Sequence, residues 1–120
     1  MNNATFETIS LTDLHDMPDG LRDGLPFGVV GLNKAGITKV YNTAEARIAG
    51  LDPSTVLGVS FFDAVAQCMN NFMVAQRFED EPELDAIVPF VLTLRMRPTR
   101  VRLRLLSSEH ARLRFILIER

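Results

Sequence analysis

The chain has one cysteine, one tyrosine, two histidines and no tryptophan among 120 residues, and each scarcity removes a class of protein. A single thiol, Cys68, forms no internal disulfide and supplies no cysteine-based metal site by itself. His15 and His110 lie in polar stretches flanked by acids, and nothing there has a metal-ligand spacing, so they read as solvated surface. No apolar run approaches the roughly 18 residues needed to span a bilayer. The opening stretch, residues 1–10, has neither a basic leader nor an apolar signal core, so a cytoplasmic location is expected. A net charge of −2 gives no overall pull toward nucleic acid or an anionic membrane. Repeats and linkers are lacking too, and the length suits one core rather than two.

The charge that is present is unevenly placed. Glu7, Asp13, Asp16, Asp19 and Asp23 stand near the start against Arg22, whereas eight arginines fall between Arg95 and Arg120. Residues 1–24 read as an acidic lead-in with weak helical character, and residues 25–120 as the core domain. Phe27 to Leu32 and Ile37 to Tyr41 read as two strands joined by the hairpin turn Asn33-Lys34-Ala35-Gly36, with Ile37, Lys39 and Tyr41 sharing a face. Asn42, Asp52 and Ser60 each open a short helix, the third reaching Cys68, and Phe72 to Phe78 carries a fourth. The acidic run Glu79 to Glu83, broken by Pro82, reads as a surface turn. Three strands follow: one through Phe90, Leu92, Leu94 and Met96, one through Val101, Leu103 and Leu105, and one from Arg112 to Ile118. The fold class is α+β, a five-stranded antiparallel sheet with short helices on one face. On the outer face the alternation places Arg95, Arg97, Arg100, Arg102, Arg104, Arg112 and Arg114.

From Tyr41 to Cys68 the residues form a specific series: Tyr41, Glu45, Asp52-Pro53, Gly58, Phe61-Phe62 and Cys68. That series resembles the chromophore-binding segment of the photoactive yellow proteins, which are PAS-domain blue-light receptors. Asp23 to Gly28 resembles the entry to that family's first strand, and Met96-Arg97-Pro98-Thr99-Arg100-Val101 its late turn. The resemblance implies a PAS-like fold with residues 1–24 as an N-terminal cap on the sheet's outer face, their acids facing the arginines and Phe6, Leu11 and Leu14 packing on apolar sheet residues. It implies 4-hydroxycinnamic acid (p-coumaric acid) held as a thioester on Cys68. It implies that Tyr41, Glu45, Met96 and Phe61 bind this chromophore. It also implies trans–cis isomerisation in blue light, proton transfer from Glu45 and a signalling change of shape. The chain is then no enzyme. Its partners are the chromophore and an unnamed downstream protein, with neither nucleic acid nor membrane, and it acts as a monomer or weak homodimer.

The residues suit that chemistry. A phenol titrates near pH 10, so keeping it ionised at neutral pH requires donors at its oxygen. A tyrosine hydroxyl and a protonated carboxyl both donate, and burial is what keeps a carboxyl protonated. Each residue also has a plainer reading. Glu45 stands where a capping box wants an acid, Tyr41 suits a half-buried sheet position, and Cys68 and Met96 suit an apolar core. The family's arginine, threonine and pre-cysteine proline are here Leu51, Ala49 and Gln67, and Leu92 and Leu94 replace aromatics. Those changes bear on colour, cycle speed and shielding of the ring. They also favour the alternative function, a PAS-type sensory or dimerisation module for a different or non-covalent ligand. A cysteine enzyme lacks a histidine placed for Cys68, and the arginines lack the interleaved aromatics of a nucleic-acid surface.

Overall fold

Asn33 opens the turn of the first hairpin. Its side-chain oxygen accepts from the Ala35 and Ile37 amides at 3.0 and 2.9 Å, and Gly36 takes the left-handed φ of 83° that a side chain disfavours. In the computed structural model, which describes residues 5–93 and 97–120, this turn joins β1 (Gly28–Leu32) to β2 (Thr38–Tyr41). Helices α1 (Leu11–Asp16) and α2 (Asp19–Asp23) precede the hairpin, and α3 (Thr43–Ala49) and α4 (Pro53–Val56) follow it. A π-helical turn at Phe61–Val65, a 3-10 turn at Gln67–Met69 and α5 (Ala75–Asp80) lead to β3 (Leu84–Leu92), β4 (Thr99–Ser107) and β5 (Arg114–Glu119). The strands form one antiparallel sheet in the order β2-β1-β5-β4-β3, as the α+β expectation required.

Apolar clusters lie on both sides of this sheet. On the helical side Val30, Leu32, Leu103, Leu105, Ile116 and Ile118 pack with Val56, Phe61, Met69 and Phe78. On the other side Phe6, Ile9 and Leu14 cover Val29, Leu106, Phe115 and Leu117, with the Phe6 and Phe27 rings edge to face at 5.9 Å. Burying both faces makes β1 buried at all five positions.

Several boundaries differ from the sequence reading. β3 begins at Leu84, six residues before Phe90, because it is an edge strand and tolerates Pro89 opposite Arg102. The helix expected from Ser60 is the π turn followed by the 3-10 turn, and the Ser60 hydroxyl bonds the Asp63 carboxylate instead of capping. The fourth helix starts at Ala75 and takes in Glu79 and Asp80 from the expected turn. A bulge at Gly31/Leu32 breaks the β2 alternation, so buried Thr38 and Tyr41 pair with Leu32 and Val30, and Lys39 is exposed. β5 begins at Arg114, whose partner Leu32 faces the helices. Arg114 therefore stacks on Phe78 and pairs with Glu79 on that side, not on the capped face.

The lead-in lies where it was expected but is held differently. Of its acids, Glu7 alone pairs with a sheet arginine among the described residues, meeting Arg102 at 2.6 Å. Asp13 lies in the first turn of α1, Asp16 meets His15, Asp19 meets Arg22, and Asp23 accepts from the Thr43 amide at 3.1 Å. The firmer hold is Arg104, nearly buried, which donates to the Phe6 and Ile9 carbonyls and to Asp85. Ile9 is fully buried, whereas Leu11 is only partly so.

Candidate functional site

Asn42 organises the site's deep end. Its side-chain oxygen accepts from the Val29 amide at 2.9 Å and the Glu45 amide at 3.2 Å, and its side-chain nitrogen donates to the Arg22 and Phe27 carbonyls. One buried amide thus ties α2, β1 and α3 together with its hydrogen-bonding capacity used. Sequence reading found it only as a helix cap.

Glu45 does not complete a capping box. The Asn42 amide that would bind its carboxylate donates to the Val29 carbonyl at 3.1 Å instead. The carboxylate turns toward β1, where a Cβ on Gly28 would overlap its Oε1, so this close approach requires glycine. There Arg120 holds it with Nη1 to Oε1 at 2.7 Å and Nη2 to Oε2 at 3.2 Å. The Glu45 side chain is 2 % exposed and that of Arg120 18 %. Burial pushes the Glu45 carboxyl above its ordinary pKa, and the Arg120 guanidinium offsets this only in part. Tyr41, at the end of β2, shares the same field. Its phenol is pushed up by burial and by the Glu45 charge, with Arg120 opposing.

Arg120 is the residue that sequence reading missed. Ile116, Ile118 and residue 120 share a face, so strand parity could have found it. Phe115, Ile116, Leu117 and Ile118 are all buried, however, and such a strand carries no alternation to mark its inner face.

Tyr41 and Phe61 are buried in the helical-side cluster, against which Leu51 and Cys68 pack as partly buried neighbours. The Asn71 side chain donates to the Cys68 carbonyl at 3.1 Å and accepts from the Met73 amide at 3.0 Å, fixing the chain just after the thiol. Cys68 borders an open cavity of about 620 Å³ with Met73, Phe90, Val91 and Val101. Neither Tyr41 nor Glu45 lines that cavity. The structure thus brings Glu45, Tyr41 and Arg120 together, and Cys68 packs as a partly buried neighbour of the apolar cluster that includes Tyr41. Met96, with Leu94 and Arg95, lies outside the described residues.

No family model matches the chain. A photoactive yellow protein from Rhodothalassium salexigens is 33% identical over 90 residues, which is 72% of this chain and 72% of that protein. The chain belongs to the photoactive yellow protein family. Its fold agrees with that family's. The photoactive yellow protein domain of the sensor histidine kinase Ppr from Rhodospirillum centenum superposes with a TM-score of 0.79 at 32% identity, covering 87% of this chain and 94% of that domain. The PAS domain of an HTR-like protein from Haloarcula marismortui superposes with a TM-score of 0.62 at 22% identity, over 85% of this chain and 91% of that one, and shows the PAS fold. No helix among the described residues is long and apolar enough to cross a membrane.

Proposed function

We propose that the chain is a blue-light photoreceptor that carries 4-hydroxycinnamic acid as a thioester on Cys68. The observation that carries this is a buried carboxyl and a buried phenol, Glu45 and Tyr41, with Tyr41 in an apolar cluster against which the chain's single thiol packs. When bound, that group supplies blue-light absorption and trans–cis isomerisation. Cys68, half-buried beside an open cavity, can be reached by an activated acid and has no second thiol to divert it. Tyr41 holds its proton strongly, so its hydroxyl serves as a donor rather than as a competing anion. Glu45, held above the ordinary carboxylate range by burial, is suited to keep a proton on its carboxyl oxygen and to release it when an acceptor nearby becomes more basic. Phe61 and Leu51 supply apolar wall, and the family motif assigns Met96 to the same chromophore. No catalysis is proposed.

Residues 1–24 form the cap in this reading and residues 25–120 the chromophore-binding core. A change of charge at Glu45 acts beside β1 at Gly28, and β1 lies directly beneath the cap residues through Val29. That gives the site a physical route to residues 5–17.

The test is spectroscopic. Treatment with the anhydride of 4-hydroxycinnamic acid should place the adduct on the Cys68 peptide, and both Glu45→Gln and Tyr41→Phe should move the visible band to longer wavelength. Losing a donor raises the energy of the localised ground-state charge more than that of the delocalised excited state. Unshifted bands in both variants overturn the pocket assignment. One observation favours a second reading, a PAS module for another or a non-covalent ligand: the cavity at Cys68 is lined from β3 and β4 rather than by Tyr41. In that case the folded protein stays colourless.

A further inference from the structure

Arg120 stands one residue beyond β5, on the face of Ile116 and Ile118, and donates to both oxygens of Glu45. Two such bonds use both oxygens as acceptors, the arrangement an ionised carboxylate makes best. A donor role at the same place needs the opposite state, because only a protonated carboxyl has an O–H to give. Glu45 cannot be both. Among the described residues, the groups that the structure places at its carboxyl are Arg120 from the end of β5, Tyr41 from β2 and Gly28 of β1. Arg120 is the one cation of the three.

We propose that Arg120 is the positioning residue that sets the role of Glu45: seated on both oxygens it keeps Glu45 an acceptor, and its withdrawal lets Glu45 take up a proton and become a donor. The two partners differ in freedom. Glu45 is sealed beneath α3 against β1, whereas the Arg120 side chain reaches solvent and can be hydrated there. Arg120 is therefore the member that moves. Withdrawal leaves the burial of Glu45 unopposed, which draws a proton from solvent to the carboxyl oxygen and conserves charge at the site.

The inference deepens the pigment reading and rests on it for the ligand's class, a phenol. With Arg120 seated, the site accepts a hydrogen bond and favours a neutral phenol. With Arg120 withdrawn, it donates and favours a phenolate.

Infrared spectroscopy of the pigment-free protein tests this, reading the protonated-carboxyl band that Glu45→Gln abolishes and titrating it with pH. Arg120→Gln should move the Glu45 midpoint upward by about one to three units, the effect of removing one adjacent opposite charge. Arg120→Lys keeps the charge without the paired donors, and its midpoint should fall between those of the wild type and Arg120→Gln. An unchanged midpoint in Arg120→Gln, or an Arg120→Lys midpoint as high as that of Arg120→Gln, overturns the proposal. Because pigment is absent, either result leaves attachment at Cys68 standing. Conversely, a protein that takes no pigment leaves a shifted Glu45 midpoint standing.

Discussion

Arg104 donates to the carbonyl oxygen of Ile9 at 2.6 Å, across 95 positions of sequence. The same nitrogen reaches the Phe6 carbonyl at 3.1 Å, and the rest of the guanidinium pairs with Asp85. The lead-in is therefore fastened through its backbone by a nearly buried cation and through Phe6, Ile9 and Leu14 by apolar burial.

Arg104→Met should cost about 2–4 kcal/mol in urea unfolding, since charge-assisted bonds contribute about 1.5–3 kcal/mol each and two carbonyls lose their partner. Hydrogen exchange should rise at residues 5–17 more than in β1 or β5. Glu7→Gln, which removes the charge from an exposed pair with Arg102, should leave both readings near wild type. Equal effects of the two substitutions would show that surface charge holds the segment. The same exchange experiment under blue light tests residues 1–24 as a releasable cap, with loss of protection expected on illumination.

Gly28→Ala puts a methyl where the Glu45 carboxylate lies. Overpacking of this kind costs about 1–3 kcal/mol. The Glu45 infrared band should shift as its carboxyl is displaced, whereas a core change distant from Glu45 would lower stability without moving that band. An alanine variant with wild-type stability and an unmoved band would contradict the close approach.

The folded protein holds the Glu45 pKa above its unfolded value, mainly by burial, so folding favours the protonated form. The stability contributed by this group is complete below the unfolded carboxylate pKa and is lost as pH rises through the folded one. Urea unfolding of wild type and Glu45→Gln, from about pH 4 to about pH 8, should show the wild type losing stability relative to the variant as pH rises beyond the usual carboxylate range. A difference independent of pH would mean that Arg120 cancels burial, and one of the opposite slope that it outweighs burial.

Much of this site was legible from the chain because its residues are punctuated. Tyr41 closes a strand, Asn42 caps a helix, and Phe61-Phe62 and Cys68 follow at the spacing that carries the family resemblance. The hairpin at Asn33 to Gly36 was legible for the same reason, since its turn chemistry is local. What was hidden depended on pairing between distant strands. Arg120 reaches Glu45 because β1 lies beside β5 with Gly28 opposite Ile118. Arg114 changed sides because Phe115 and Leu117 are as apolar as Ile116 and Ile118, so no pattern distinguishes the two faces. β3 was read short because Pro89 signals a break wherever a strand is internal, and only the sheet order shows that it is not. Ile9 sits in a polar run and is buried solely by its docking on the sheet.

The central claim is that Cys68 carries a light-absorbing acyl group beside Glu45 and Tyr41. The absorbance spectrum of the purified protein, mixed with the anhydride of 4-hydroxycinnamic acid and then flashed with blue light, tests it most directly. The account predicts a visible band that bleaches and recovers in the dark, with none in Cys68→Ala. A folded wild-type protein that stays colourless, or a Cys68→Ala protein that takes the same colour, would contradict it.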